Sequence, residues 1–537
     1  MNGKTSIGKI EDINLLLSLA EGIKAGSLCG LGQTAPNTVI TTLRYFREEY
    51  EDHIKRHHCK AVVCRGLVSA PCSHTCPAGI DVPRYVRFIA VNKPAEAAAV
   101  IREKIPFPFV CGLVCFHPCE TKCRRGQLDE PIAIRALKRY AAERDTRIWE
   151  KNLYIAPSTD KRVAIIGSGP AGLTAAYYLR KLGHKVTVFE ALGEPGGMMR
   201  FGIPDYRLPK DILRDEISEI EKIGVEIRLN SRVDSISNLF DQGYHAVFVA
   251  IGSHKGLKMG IKGEDSLGVI DAISFLMKIN LGKRFEIGEE VAVVGGGNVA
   301  IDAARSAVRL GAKKVEILYR RTQAEMPAAW EEIDDALKEG IKLNTLVNPI
   351  KITPIKNRLE LECIRMQLGK VDSSGRRKPE PIRGSEYSIT FDSVIIAVGQ
   401  TSDIPKEFEL DVGPGNIIKV NRNTLETSRK GVFAGGDAIL GPASVIEAIA
   451  TGRQASVSID KYLGGKGIID EKLAPPEEVF NPLSETHEER RPEMPVLEIS
   501  ERLKGFRQVE LGYDDQKAVF EASRCLRCDL EEHEDED

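Results

Sequence analysis

Of the chain's 12 cysteines, eight lie between Cys59 and Cys123. The run reads Cys59-x4-Cys64-x7-Cys72-x3-Cys76-Pro, then Cys111, Cys115, Cys119 and Cys123 within FVCGLVCFHPCETKC. Thiols this dense, if kept reduced, bind metal or do redox chemistry rather than form disulfides. Eight thiolates suffice for two [4Fe–4S] clusters. Structural zinc is the alternative, usually built from C-x2–4-C pairs, and the uneven gaps favour iron–sulfur. A second group, Cys525-x2-Cys528, is half a metal site. It could pair with a partner chain or with Cys59 and Cys64, or stay as free thiols.

The other chemical signal is glycine between strand and helix. VAIIGSGPAGLTAAYYLRKLGHKVTVFE runs from an apolar strand, Val163 to Ile166, into Gly167, Gly169 and Gly172, then a helix, then a strand ending at Glu190. Gly167 makes the tight turn, Gly169 lets backbone approach a pyrophosphate, and Gly172 permits close helix–strand packing. The helix amides hold the negative charge, and Glu190 can accept from ribose hydroxyls. VAVVGGGNVAIDAARSAVRLGAKKVEILYRRT repeats the pattern at Gly295, Gly297 and Ala300. Its second strand ends in Arg320 and Arg321 instead of an acid, which suits a 2′-phosphate and hence NADP(H). VFVAIGS and VIIAVGQ read as crossings between two nested domains, and GVFAGGDAILGPASVIEAIATGRQA places Asp437 before a helix that starts near Ser444.

The elements around these signals divide the 537 residues into several domains. Residues 1–55 show two amphipathic helical patterns, and 56–150 hold the cysteines and a further helix, PIAIRALKRYAAERD. Strand–turn–helix patterns suggest one dinucleotide domain from 160–284 and 396–465, with a second, 285–395, set inside it. Residues 466–537 read as a wrapping tail ending in a solvated acidic tip. Lys+Arg 75 against Asp+Glu 77 gives a net charge of −2, which argues against nucleic acid or a membrane surface as the main partner. No apolar run reaches about 18 residues, so no membrane insertion is expected, and the start lacks a secretion pattern. A cytoplasmic location is expected.

GxGxxG with a terminal Glu, GGMMRFGIPDYRLP, GGGNVA with YRR and EMPA, and GVFAGGD together resemble a flavoprotein with two dinucleotide domains. More narrowly they resemble the glutamate synthase small subunit and the large subunit of NADH-dependent ferredoxin:NADP oxidoreductase. The resemblance implies an α/β fold with two nested Rossmann-like domains, preceded by an α-helical iron–sulfur domain. It implies FAD on Gly167, Gly169, Pro170, Ala171, Gly172, Glu190, Gly197, Met198, Arg207, Gly252, Gly436, Asp437, Ser444 and Val445. NADP(H) would lie on Gly295, Gly297, Asn298, Val299, Ala300, Arg320 and Arg321. Two interleaved [4Fe–4S] clusters are implied. One would use Cys59 or Cys64, or both, with Cys72 and Cys123. The other would use Cys76, Cys115, Cys119 and a fourth ligand. Relatives supply a Glu or Gln for that ligand where this chain has Lys138. An ammonium cannot ligate iron, so Cys111 is assigned.

SLCGLGQTAPNTVITTLRYFREEYEDHI resembles the helical iron–sulfur bundle of the NADH-oxidising, FMN-carrying subunit of complex I and of related hydrogenases and formate dehydrogenases. Of that bundle's four cysteines only Cys29 matches. Cys29 therefore reads as a small buried residue, and the helices as a retained docking surface. Thioredoxin-reductase relatives carry C-x-x-C in the nicotinamide domain. Residues 285–395 hold only Cys363, so disulfide reduction is not expected.

The resemblance implies an NADP(H)-dependent FAD/iron–sulfur oxidoreductase subunit whose cofactors carry the chemistry, without an acid–base side chain. The complex expected is an electron-bifurcating NADH/ferredoxin:NADP transhydrogenase. The alternatives are the small subunit of glutamate synthase and the NADP-linked subunit of a formate dehydrogenase or hydrogenase. From another class comes a nucleotide-binding assembly or sensing flavoprotein. Expected partners are other redox subunits: an NADH-dehydrogenase-like chain carrying flavin or iron–sulfur, or a glutamate synthase large subunit. Ferredoxin is a further candidate.

Overall fold

The computed structural model describes residues 9–64, 66–372, 375–477 and 489–530. The acidic tip at 531–537 lies outside them. The N-terminal unit is two helices, Ile10–Gly26 and Asn37–Arg56, packed on each other. Ile13, Ala20 and Leu43 are buried, whereas Leu15, Leu16, Leu19 and Ile23 are exposed. Cys29, expected to be buried, is exposed, because it precedes the short helix Gly30–Thr34 at the rim of this unit. Among the described residues no helix is long and apolar enough to cross a membrane.

Proline sets the helix starts in the cysteine-bearing stretch. Pro71, Pro94, Pro108 and Pro118 each open a helix. At that position proline loses no hydrogen bond, and its ring already holds the helical φ. Gly112, in helix Pro108–Val114, lies hard against helix Ile134–Glu143: a Cβ there would come within 2.6 Å of the Arg139 Cα. The neighbouring residues Cys111 and Lys138 are brought together by this contact.

Two five-stranded parallel sheets follow. The first runs Val432–Ala434, Ala246–Val249, Arg162–Ile166, Lys185–Phe189, Glu226–Arg228, and the long helix Val445–Tyr462 packs beside helix Pro170–Lys181. The second runs Val269–Asp271, Ser393–Ile396, Glu290–Val294, Lys314–Tyr319, Lys342–Thr345, with an antiparallel excursion between its last strand and Ser393. The chain crosses between the sheets at Lys255–Gly256 and Gln400–Thr401, which pair with each other. This moves the expected boundary at 284. Val269–Asp271 supplies the edge strand of the second sheet, and helix Ala272–Asn280 buries its apolar face there.

The tail returns over the cysteine-bearing helices. Arg84 donates to the carbonyls of Ala474 and Pro475, Arg491 pairs with Glu120, and Glu521 accepts from the Ala133 amide.

Inside the second sheet's domain, Arg305 and Arg309 both bond the Glu339 carboxylate. Burial alone would raise that carboxyl, but hydrogen bonds from Arg309 and Arg305 outweigh it and hold it at about 2, below the usual 4.5. Its folded value is depressed, so its stabilisation is present above about pH 4.5 and is lost as pH falls towards 2. Glu339→Ala leaves two buried guanidinium groups short of a partner and should cost about 3–5 kcal/mol. Urea unfolding at neutral pH should show the loss. The gap between variant and wild type should narrow as pH falls towards 2.

Candidate functional site

Both glycine turns open onto one cleft of about 1410 Å³. The first sheet's side is lined by Gly167, Gly169, Pro170, Ala171, Glu190, Gly197, Met198, Gly252, Gly436, Asp437, Ser444 and Val445. The second sheet's side is lined by Gly295, Gly297, Asn298, Val299, Arg320 and Arg321. Gly172 packs helix on turn, since a Cβ there would fall 2.0 Å from the Gly167 carbonyl oxygen, and Ala300 is fully buried.

Gly167 has φ +105, and a Cβ would meet the Ala250 carbonyl oxygen at 2.4 Å. Gly169 is different: a Cβ there meets nothing within 4 Å, because the residue borders the cleft at the N-terminus of helix Pro170–Lys181. That is the open space and the free amides a pyrophosphate needs. The Glu190 carboxylate accepts from the amide and hydroxyl of Ser168 and the amide of Leu192. These bonds fix its orientation and leave lone pairs for ribose hydroxyls. Burial pushes the Asp437 carboxyl up to about 6, with the Ala443 amide opposing. Ser444 caps helix Val445–Tyr462 in a reciprocal box with Glu447, so the helix's positive end meets the cleft.

Two of the expected site residues also have partners within the protein. Arg207 borders the cleft, but its guanidinium is held by Asp302 and Glu332. It therefore ties the two dinucleotide domains together. Arg321 is 4% exposed and is bound to Asp372 and the Arg377 carbonyl, whereas Arg320 is exposed. At a strand end, adjacent side chains point to opposite faces, so the two arginines have different surroundings.

Sequence reasoning missed Arg376 and His254, both on the cleft wall. Arg376 comes from the antiparallel excursion, where no motif marks it. Val114 and Phe116 also line the cleft, and they flank Cys115.

The thiols form three groups. Burial pushes the Cys72 thiol up, reinforced by charge at Cys525, Cys123 and Cys528. Burial pushes Cys525 up to about 12, and Cys123 and Cys528 act on it in turn. Cys111 and Cys119 are also pushed up by burial and act with Cys76 and Cys115 around Lys138. Burial opposes the Lys138 charge, but Cys115, Cys111, Cys76 and Cys119 outweigh it and the ammonium is retained. The third group is His53, Cys59 and Cys64, whose ligand atoms all lie within 4.8 Å of one another.

Cys59 and Cys64 meet His53, and the thiols that act on Cys72 are Cys525, Cys123 and Cys528. Helix Asp515–Ser523 packs on Val82–Ala90 and delivers Cys525 and Cys528 to Cys72. Four thiols in each set match in number and kind the thiolate donors that a [4Fe–4S] cluster takes, and binding the metal would deprotonate them.

The fold and these sites define a flavoprotein with two dinucleotide domains joined to an iron–sulfur module. Residues 161–452 match the family model of pyridine nucleotide-disulphide oxidoreductases, and the chain belongs to that family. Residues 43–148 match the 4Fe–4S domain II of dihydropyrimidine dehydrogenase, and 2–53 the iron–sulfur binding region of NADH-ubiquinone oxidoreductase-F. The chain is 40% identical to the beta subunit of an NADP(+)-dependent formate dehydrogenase of Moorella thermoacetica, over 97% of this chain and 84% of that one. It is 32% identical to the small chain of Escherichia coli NADPH glutamate synthase, over 74% of this chain and 90% of that one. Mycobacterium tuberculosis FprA in complex with NADPH shares the fold at 20% identity and a TM-score of 0.50, covering 57% of this chain and 85% of that one. The protein is an NADP-dependent oxidoreductase subunit that uses FAD and [4Fe–4S] clusters. Cys363, the one cysteine of 285–395, is fully buried and raised by burial to about 12, so that domain holds no dithiol pair.

Gly169→Val should fill the open cradle without touching the fold and yield flavin-free, folded protein, read by the flavin absorbance of the purified chain. Arg320→Ala should lower the NADPH-over-NADH preference about tenfold, through loss of a charge-assisted bond of about 1.5–3 kcal/mol. Arg321→Ala should lower thermal stability more than nucleotide preference. Equal effects of the two arginines on preference would contradict this division.

Proposed function

We propose that the chain exchanges electron pairs with NADP(H) in the cleft and passes single electrons through its two cysteine quartets to a second redox subunit. The observation that carries this reading is Cys115, seated between two residues of the cleft wall and inside a quartet. Bound FAD supplies the conversion between a hydride and single electrons. The chain's own residues do the rest. Gly169, Glu190 and the helix end at Ser444 hold and orient the flavin nucleotide, and Arg320 selects the 2′-phosphate. Val114 and Phe116 exclude water between the cleft and Cys115. Cys76, Cys111, Cys115 and Cys119 hold the cluster next to the cleft, with the Lys138 charge beside it. Cys72, Cys123, Cys525 and Cys528 hold the next. Cys72 lies in the first turn of helix Pro71–Thr75 and Cys76 caps its end, while Cys119 lies in Pro118–Thr121 and Cys123 just beyond it, so the two quartets are neighbours.

The partner we propose is a formate-oxidising subunit, with the complex in the cytoplasm, where the thiols stay reduced. The formate dehydrogenase relative spans nearly this whole chain, whereas the glutamate synthase small chain leaves a quarter of it unmatched. The N-terminal helices present Leu15, Leu16, Leu19 and Ile23 to such a partner. A second reading, electron bifurcation between NADH, ferredoxin and NADP, is favoured by the match of 2–53 to an NADH-dehydrogenase iron–sulfur region. Anaerobic purification with the co-purifying subunits, followed by NADP⁺ reduction assays, separates the two. Formate alone should drive reduction; a strict need for NADH together with reduced ferredoxin would favour bifurcation.

Replacing Cys525 and Cys528 with serine should remove about four irons, one cluster's worth, while flavin and NADPH-to-dye activity persist. Deleting residues 1–50 should likewise spare dye reduction and abolish transfer to the partner.

A further inference from the structure

The group formed by His53, Cys59 and Cys64 has no part in either quartet. His53 sits in the last turns of helix Asn37–Arg56, and the two cysteines lie in the loop that leads to Pro71. Their ligand atoms meet within 4.8 Å, Cys59 is 1% exposed, and both cysteines are free thiols. A tetrahedral zinc with bonds of about 2.0–2.3 Å places its ligands about 3.5–3.8 Å apart, so a small inward movement completes such a site. Thiolates on separate irons of a cubane stand wider than that. Two sulfurs and an imidazole are a donor set for zinc rather than for magnesium or calcium.

The loop is held in place for this task. The Val62 amide donates to the Cys59 carbonyl, and Val62 takes φ +62, which a β-branched residue rarely adopts. Such a conformation persists only where its surroundings over-determine it. The amides of Leu67 and Val68 both donate to the Cys64 carbonyl. His74 is engaged elsewhere: its ring lies 2.9 Å from the Cys59 amide nitrogen and stacks on His58. His53 is the imidazole whose ring nitrogen lies within 4.8 Å of both thiols.

We propose that His53, Cys59 and Cys64 bind one zinc ion that staples the N-terminal helical unit to the iron–sulfur domain. Water completes the tetrahedron. The ion has no redox role. It fixes the last turn of helix Asn37–Arg56 against the loop, and so sets how the N-terminal helices are presented to a partner.

The test is metal analysis of the full-length protein, purified anaerobically with its flavin and clusters. Wild type should carry about one zinc per chain beside its iron. His53→Ala and Cys64→Ser should each lose the zinc while keeping iron and flavin at wild-type levels. Protease cleavage within 57–70 should then accelerate. Should a variant prove insoluble, the wild type treated with chelator and titrated with cobalt(II) alone gives a second readout: a thiolate-to-cobalt charge-transfer band is expected. Wild-type protein without zinc and without that band would overturn the proposal. A loss of about four irons in Cys64→Ser would do so as well, since it would return this thiol to a cluster. Neither result bears on the NADP(H) cleft, so the two assignments fail separately.

Discussion

A thiol buried away from water is stable as a neutral group or as a metal ligand, and that constraint organises the N-terminal half of the molecule. Short helices opened by proline bring Cys76, Cys111, Cys115 and Cys119 around one point and Cys72 and Cys123 around another. The second point holds only two thiols until the tail brings Cys525 and Cys528. Glu521 on the Ala133 amide and Arg524 on Asp129 fix that arrival, and Cys525 and Cys528 would complete the proposed site there. On the proposed quartets the iron–sulfur module is not a separable N-terminal domain, because its ligands would span most of the sequence.

The dinucleotide half is held together by charge. Arg207 reaches from the first domain to Asp302 and Glu332 of the second, and Tyr206 bonds Asp302 beside it. Arg502 of the tail binds Asp335 on the same face. Buried ion pairs of this kind add little net stability, but removing one partner is costly. Their effect here is to fix how the two nucleotide-binding edges face across a common cleft. The cleft wall in turn reaches the iron–sulfur module at Val114 and Phe116. The nucleotide cleft and Cys115 are thus separated only by the cysteine's two chain neighbours on the wall.

Much of this was legible in the chain. The two glycine turns, the acid at 190 and the arginines at 320 and 321 carry local chemistry at fixed spacing, and the structure places them on one cleft. What failed was non-local. Nothing near Cys525 or Cys528 says which thiols they meet, because that depends on how the tail folds back. The arginine pair looked equivalent until strand geometry turned one inward to Asp372. Arg207 sits in a string shared with flavoproteins, but its partner Asp302 is supplied by the other domain. The boundary at 284 was misplaced because an edge strand of three residues, Val269–Asp271, is too short to announce its sheet.

The central claim is that electrons taken from NADPH in the cleft reach both quartets within this one chain. The direct measurement is anaerobic electron paramagnetic resonance of the isolated full-length protein, with its flavin and clusters, frozen after addition of NADPH. The account predicts that signals of reduced [4Fe–4S] centres grow in without any partner or mediator, and that they are absent when Gly169→Val protein is treated in the same way. Bleaching of the flavin while the iron–sulfur centres stay oxidised would contradict it.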